Sequence, residues 1–198
     1  MSKEIHALLA SRICHDLISP VGAIGNGLEM AKISPSPELD LITLGSDMAR
    51  AKLEFYRVAF GAGDGASSMP PEKLARIGQD YFRESRYTLS FDAIGLEDRA
   101  DIRLHFLILM AMETALPFGG DLLLRAGFIS GTGRRVKTEL PVWKMLDGGE
   151  MPEDIRAGDV HIVLLAQELE KQNKRLEISA DDTQITLRVE PQRARAVA

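Results

Sequence analysis

A histidine and an aspartate lie side by side in the segment RICHDLISPVG, residues 12–22. An imidazole in this setting could be a buried structural side chain, a metal ligand or a nucleophile presented to solvent. Because imidazoles are largely neutral at pH 7, His15 offers a ring-nitrogen lone pair for nucleophilic chemistry. Asp16 can orient the ring or hold its proton, as carboxylates do for catalytic histidines. The two residues are therefore the first candidate for a catalytic site.

The helix that carries this pair is predicted from the spacing of its apolar residues. Between residues 3 and 32 they recur every three or four positions, at Ile5, Leu8, Leu9, Ile13, Leu17, Val21, Ile24 and Leu28. At about 100° per residue, His15 lies about 190° from the centre of this apolar stripe and points away from the core. Pro20 lies inside the helix, where it removes one backbone donor and clashes with the carbonyl of Asp16.

A metal site is disfavoured by the positions of the other candidate ligands. His105 and His161 are distant in sequence, and His6 lies about 180° around the helix from His15. Cys14, the single cysteine, lies near the edge of the apolar stripe, where a small packed side chain is expected rather than a reactive thiol. We therefore predict no metal site.

The helix face around His15 is poor in large side chains. A glycine inside a helix costs about 1 kcal/mol relative to alanine, so two glycines on one face need an explanation. Small residues let the backbone of another protein approach closely, and an exposed isoleucine adds an apolar contact. We predict that this face binds a macromolecular partner, although a surface histidine without a role remains the alternative. The predicted partner-binding residues are Ser11, Ile18, Ser19, Gly22, Gly25 and Asn26.

A second helix is predicted to begin near Ser36, its N-cap, and to end near Phe60. The glycine- and proline-rich segment 61–71 is typical of a linker. Residues 1–62 are therefore predicted to form a helical hairpin, whose wide apolar stripes two helices cannot bury alone. Pairing of two hairpins into a dimeric four-helix bundle would bury them, and docking onto residues 72–190 is the alternative.

Residues 72–191 are predicted to form a second domain with a different architecture. Helix and strand patterns run in the order αβαββαββ, which predicts an α/β sandwich whose mostly antiparallel sheet is covered on one face. A β-hairpin is expected across residues 120–142, with the glycines of Gly131–Thr132–Gly133 near its turn rather than in a phosphate-binding loop. The predicted fold class is therefore α+β.

Composition limits the functions that the chain can have. The 198 residues carry a net charge of −5, which argues against nucleic acid as the main ligand, because phosphate binding needs a basic patch. No apolar run approaches the roughly 20 residues that a membrane helix needs, and the N-terminus lacks the pattern of a signal peptide. The single cysteine suits a reducing cytoplasm. We therefore expect a cytoplasmic protein that binds neither nucleic acid nor a membrane.

The segment HDLISPV, residues 15–21, resembles the H-box of sensor histidine kinases. His15 falls at the phospho-accepting histidine of that motif, Asp16 at its adjacent acid and Pro20 at its proline. The longer run LASRICHDLISPVGAIGNGLEM, together with FYRVAFGA at 55–62, resembles the alphaproteobacterial histidine phosphotransferase (ChpT) family. This similarity covers the whole chain.

The resemblance implies a homodimer whose hairpins pair into a four-helix bundle, and a C-terminal domain that resembles a degenerate Bergerat-type kinase ATP-binding domain. A working kinase carries an asparagine-rich box on the helix at 101–116, whereas this sequence has Glu113 where the nucleotide-facing asparagine would lie. The Asp-x-Gly-x-Gly motif and the glycine-rich lid are also absent from the sequence. The resemblance therefore implies that the fold is kept, and that neither ATP nor another cofactor is bound.

For the chemistry, the resemblance implies a phosphorelay. His15 would accept a phosphoryl group from the receiver domain of a hybrid histidine kinase and pass it to the receiver aspartate of a cell-cycle response regulator. Mg²⁺ is expected from the partner receiver domain. Two alternatives stay open: a non-catalytic dimeric scaffold that binds receivers, and an ATP-dependent histidine kinase.

Overall fold

Two long helices form the first part of the computed structural model, which describes residues 2–31, 38–61, 69–146 and 149–192. The first, α1, spans Ser2–Ala31 and runs without interruption through Pro20. The second, α2, spans Glu38–Phe60. The predicted N-cap, Ser36, and most of the predicted linker lie outside the described residues.

The second part of the chain alternates helices and strands. The predicted order αβαββαββ and the α+β class are confirmed, with an additional short helix at Pro141–Leu146 and a 3-10 helix at Ala157–Asp159. The elements are α3 Pro71–Phe82, β1 Tyr87–Phe91, α4 Arg99–Ala115, β2 Gly120–Arg125, β3 Phe128–Gly133, α5 Pro141–Leu146, α6 Val160–Lys171, β4 Lys174–Ala180 and β5 Gln184–Pro191.

The strands form one mixed sheet in the order β1-β2-β3-β5-β4. β1 and β2 are parallel and are joined through α4, as a parallel pair requires, whereas the other neighbours are antiparallel. Burial alternates along β2: Leu122 and Leu124 are buried, while Asp121 and Arg125 are exposed. One face of the sheet therefore meets the helices and the other faces solvent.

The prediction that Gly131–Thr132–Gly133 lies near a hairpin turn is wrong. The turn between β2 and β3 contains Gly127, whose φ of 72° favours glycine. Gly131 lies inside β3, where an added Cβ would come 2.6 Å from the side chain of Met112 and 2.7 Å from that of Leu116. This glycine permits a close approach between α4 and the sheet, a use that the sequence pattern does not distinguish from a turn.

Helix α4 lies at the centre of the core because apolar residues cover nearly its whole surface. Its N-cap is Asp98, whose carboxylate accepts a hydrogen bond from the backbone N–H of Ala100 at 2.7 Å. Its buried apolar residues are Ile102, Leu104, Phe106, Leu107, Ile108, Leu109, Met110, Ala111, Met112 and Ala115. Each large side chain in this set contributes about 1.5–3 kcal/mol by leaving water.

His105, on α4, is a structural histidine that fixes the β2–β3 turn. Its Nδ1 lies 2.7 Å from the carbonyl oxygen of Asp101, and its Nε2 accepts from the backbone N–H of Gly127 at 2.8 Å. Both ring nitrogens are thus engaged by backbone, and burial lowers the pKa of this imidazole.

The C-terminal end of α2 packs into the same core as α4. The ring of Phe55 stacks on Tyr81 of α3 with centroids 4.0 Å apart, and it lies 4.8 Å from the ring of Phe106. Tyr56 and Ala59 are buried in the same cluster. Docking onto the second part of the chain therefore buries the end of α2, and the division into residues 1–62 and 72–191 stays a prediction.

Much of the remaining apolar surface of the hairpin is uncovered in a single chain. Val21 and Leu28, seven residues apart on α1, are 56% and 52% exposed. The segment Ile5–Ala31 is long and apolar enough to cross a membrane by length and composition, and little of it is buried. The expectation that the chain holds no run of this kind therefore does not hold for α1.

Gly45 lets α2 lie close against α1 at Pro20. A Cβ at this position would come 2.9 Å from the carbonyl oxygen of Pro20 and 3.1 Å from the side chain of Ile24. Gly22, on the exposed side of α1, has open space around an added Cβ. Both glycines lie inside helices, so the main difference between them is that Gly45 is packed against α1 whereas Gly22 faces open space.

Substitution of each glycine by alanine tests this contact. Gly22→Ala should raise the free energy of unfolding by about 0.5–1 kcal/mol, because alanine is the better helix former. Gly45→Ala should instead lower it by about 1–3 kcal/mol, because the added methyl group forces the helices apart. Urea titration followed by circular dichroism measures both. A stabilising Gly45→Ala would contradict the close packing at Pro20.

Candidate functional site

His15 lies near the middle of α1 with its side chain 84% exposed, on the side that the helical phase predicts. Its Nδ1 lies 3.1 Å from Oδ1 of Asp16. A carboxylate only accepts hydrogen bonds, so we assign the proton of the neutral ring to Nδ1. The lone pair on Nε2 is then the available nucleophile.

The second oxygen of Asp16 is held by two donors. Nε of Arg12, one turn earlier on α1, donates to Oδ2 at 2.6 Å, and the hydroxyl of Tyr56 on α2 donates to the same atom. Partial burial acts to raise the pKa of Asp16, but the Tyr56 hydrogen bond and the charge of Arg12 outweigh it, so that this pKa is lowered. Asp16 is therefore a charged acceptor that keeps one oxygen for His15.

Pro20 ties the backbone of Asp16 to α2. Because proline has no N–H, the carbonyl of Asp16 loses its normal helical partner. Nζ of Lys52 on α2 donates to this carbonyl at 2.8 Å. Backbone and side chain of Asp16 are thus both bound by the neighbouring helix.

Arg12 connects this site to the C-terminal part of the chain. Its Nη1 donates to the carbonyl oxygen of Gly158 at 2.8 Å, and its Nη2 lies 3.7 Å from Oε2 of Glu113 on α4. The hydroxyl of Tyr81 donates to the same carboxylate oxygen at 3.0 Å. Burial raises the pKa of Glu113 to about 7, although the charge of Arg12 opposes this. We call Arg12, Asp16, Tyr56, Tyr81 and Glu113 the Asp16 cluster.

The residues predicted to bind a partner form an exposed strip along α1 beside His15. Ile18 is 69% exposed, which is high for a large apolar side chain. A Cβ on Gly22 or Gly25 would meet no atom within 4 Å, so packing within one chain does not require glycine there. We call this surface the docking strip; its exposed members are Ser11, Ile18, Ser19, Gly22, Gly25 and Asn26.

Cys14 is exposed, which contradicts the expectation of a packed side chain. It precedes Val21 by seven residues, so both lie on the side of α1 that the rest of the chain leaves open. Among the described residues, no group of three or more histidine, cysteine, aspartate and glutamate side chains could hold a metal ion.

Comparisons with known proteins identify the family. The model of the histidine phosphotransferase C-terminal domain matches residues 71–184, more than half of the chain. The chain belongs to the histidine phosphotransferase family. Protein phosphotransferase ChpT of Brucella abortus (strain 2308) is 34% identical over an alignment of 181 residues, and the match covers 83% of this chain and 86% of that protein. A solved structure described as a bacterial phosphotransferase aligns with a TM-score of 0.77 at 26% identity, covering 96% of this chain and 97% of that one.

In this histidine phosphotransferase, His15 and Asp16 were predicted as site residues from the sequence, whereas the residues that hold the aspartate were not. Arg12 had a usable signal, since a charge four residues before Asp16 on the same helix can pair with it. Tyr56 and Lys52 had none, because their contacts depend on the register between the two helices of the hairpin. Glu113 was noted only as the replacement of an asparagine.

His161 lies beside the Asp16 cluster and makes the stability of this phosphotransferase depend on pH. Its Nε2 lies 3.3 Å from the hydroxyl of Thr114. Burial, reinforced by the charge of Arg12, lowers the pKa of His161 from 6.5 to about 3. Between these values the unfolded chain binds a proton at His161 that the folded chain does not bind.

Stability should therefore fall as the pH decreases from 6.5, by up to about 1.4 kcal/mol per pH unit from this group. His161→Gln should show a shallower fall in the free energy of unfolding between pH 6.5 and about 5, measured by urea titration. The raised pKa of Glu113 acts in the opposite sense, but Glu113 is present in both proteins and its effect cancels in the comparison. Equal slopes would contradict a neutral buried His161.

Proposed function

We propose that this protein is a phosphorelay intermediate whose phospho-accepting residue is His15. The observation that carries the proposal is an exposed imidazole whose Nδ1 faces a charged carboxylate at 3.1 Å, in a member of the histidine phosphotransferase family. The similarity to protein phosphotransferase ChpT extends over most of both chains and supports the same activity here.

In the proposed reaction, Nε2 of His15 attacks the phosphorus of an aspartyl phosphate on a receiver domain. The bond between phosphorus and the aspartate oxygen breaks, and the receiver carboxylate leaves with the electron pair. The ring then carries the phosphoryl group on Nε2 and a proton on Nδ1, and Asp16 stabilises its positive charge. The reverse sequence passes the group to a second receiver. Such transfers depend mainly on positioning and charge stabilisation.

The receiver would supply the divalent cation. Mg²⁺ bound there would neutralise charge on the transferred phosphoryl group. We further propose that this protein does not use ATP. In support, Glu113 stands at the position of the nucleotide-facing asparagine, and Tyr81 and Arg12 lie against its carboxylate.

The proposed partners are the receiver domains of a hybrid histidine kinase and of downstream, cell-cycle response regulators, which would meet in the cytoplasm. The docking strip supports a macromolecular partner, because it combines small residues with the exposed side chain of Ile18 next to His15. A receiver bound there would bring its aspartyl phosphate to the outward side of the imidazole.

We also propose a homodimer in which two hairpins pair into a four-helix bundle. Val21 and Leu28 on α1 are exposed along one face, and Leu41 and Leu44 on α2 are exposed as well. Burial of these side chains against a second copy would remove a large apolar surface from water. A second copy also explains why α1 is apolar although little of it is buried within one chain.

The loss of His15 is the first test. A panel of receiver domains is phosphorylated with acetyl phosphate and mixed with wild type, His15→Ala or the control His6→Ala, whose histidine is exposed on the same helix. Wild type and His6→Ala should become labelled and pass the label to a second receiver, whereas His15→Ala should do neither. Relay by His15→Ala would sink the proposal and favour a scaffold. Labelling of the wild type by ATP alone would favour a kinase.

Neighbouring positions on α1 separate receiver binding from dimer formation. Ile18→Asp should weaken receiver binding at least tenfold, because it places a charge in the docking strip, and should leave the molecular mass in solution unchanged. Leu17→Asp, one position earlier, should instead weaken the dimer. Light scattering and receiver titrations measure the two effects. If Ile18→Asp binds receivers normally, the docking strip is not the receiver surface.

A further inference from the structure

The two carboxylate oxygens of Asp16 have different partners. The carboxylate has two oxygens with different tasks, since Oδ1 faces Nδ1 of His15 and Oδ2 faces Arg12 and Tyr56. The side chain of Asp16 is 15% exposed, whereas that of His15 is 84% exposed. The exposed ring of His15 is thus oriented by the Asp16 carboxylate, which is itself held by Arg12 and Tyr56.

Tyr56 is a rigid donor for this carboxylate. Tyr56 is buried, with 4% of its surface exposed. Its ring packs against the aromatic rings of Phe60 and Phe55, with centroids 5.3 Å and 6.3 Å away. Burial and the neighbouring Asp16 raise the pKa of the Tyr56 hydroxyl, so it stays protonated and donates at neutral pH.

Arg12 is held by the C-terminal part of the chain. The carbonyl oxygen of Gly158 and the carboxylate of Glu113 both face its guanidinium group. The planar guanidinium therefore meets Asp16 at one edge and the C-terminal part at the other. Of the two donors to Oδ2 of Asp16, Tyr56 belongs to α2, whereas Arg12 is held in place by Glu113 and Gly158 of the C-terminal part.

We infer that Tyr56 is a positioning residue for phosphoryl transfer: with Arg12 it holds Oδ2 of Asp16, so that Oδ1 accepts a hydrogen bond from the Nδ1–H group of His15 and Nε2 keeps its lone pair. The inference rests on the proposed role of His15 as the phosphoryl acceptor. Tyr56 itself does not contact the reacting atoms. It acts through Asp16, which keeps the proton on Nδ1 before transfer and stabilises the cationic ring after it.

Replacement of one hydroxyl group tests the inference. Tyr56→Phe keeps the aromatic packing and removes the hydroxyl that donates to Asp16, together with the contact of that hydroxyl with the Tyr81 hydroxyl. Tyr87→Phe is the matched control, because its hydroxyl donates to the backbone carbonyl of Leu116 at 2.8 Å rather than to the Asp16 carboxylate. Nitrogen-15 NMR of the His15 ring reports which nitrogen carries the proton. Rapid mixing with saturating phosphorylated receiver reports the transfer rate constant, and titration reports the receiver Kd.

In Tyr56→Phe, the population protonated on Nδ1 should fall, the transfer rate constant should drop roughly tenfold, and the receiver Kd should not change. Tyr87→Phe should match the wild type in all three. A wild-type tautomer and rate constant in Tyr56→Phe would overturn the inference, as would equal losses in both variants. A relay that survives in His15→Ala would refute the proposed function. The NMR measurement requires no transfer, so it separately decides whether Tyr56 positions the His15 ring through Asp16.

Discussion

The hydrogen bonds that converge on Asp16 are the constraint on which the arrangement of the site depends. Arg12, Tyr56 and Lys52 bind its side chain and its backbone carbonyl, and they come from both helices of the hairpin. His15 can therefore be exposed and still be oriented, because its partner Asp16 is fixed by a buried tyrosine and two half-buried cationic side chains. If the carboxylate were mobile, solvent competition and side-chain entropy would leave the exposed histidine ring without a fixed orientation.

The same constraint connects the C-terminal part of the chain to the Asp16 cluster. Glu113 and Gly158 face the guanidinium of Arg12, and Tyr81 joins α3 to this carboxylate. The α+β part is thus packed against α1 through a polar cluster, and against α2 through the aromatic core around Phe55. A half-buried arginine between two carboxylates is costly to disrupt, because removal of one partner leaves a charge that is only partly compensated. In the proposed relay, this part supports the acceptor site instead of delivering a nucleotide to it.

The sequence predicted what depends on local periodicity and missed what depends on tertiary register. The phase of one helix places His15 on the outside, and the loss of the Pro20 N–H points to a free carbonyl at Asp16. The donor that satisfies this carbonyl, Lys52, lies 36 positions away and depends on how closely α2 approaches α1 at Gly45. The glycines of β3 were misassigned to a turn because a glycine that permits close packing and one that permits a positive φ look alike in a sequence.

The position of the phosphoryl group on the protein tests the central claim most directly. The protein would be loaded from a phosphorylated receiver, and the phosphorylated histidine would then be mapped by peptide mass spectrometry at neutral pH and assigned by phosphorus-31 NMR. The account predicts an acid-labile phosphoryl group on Nε2 of His15. A phosphoryl group on Nδ1 of His15, or on any other residue, would contradict it.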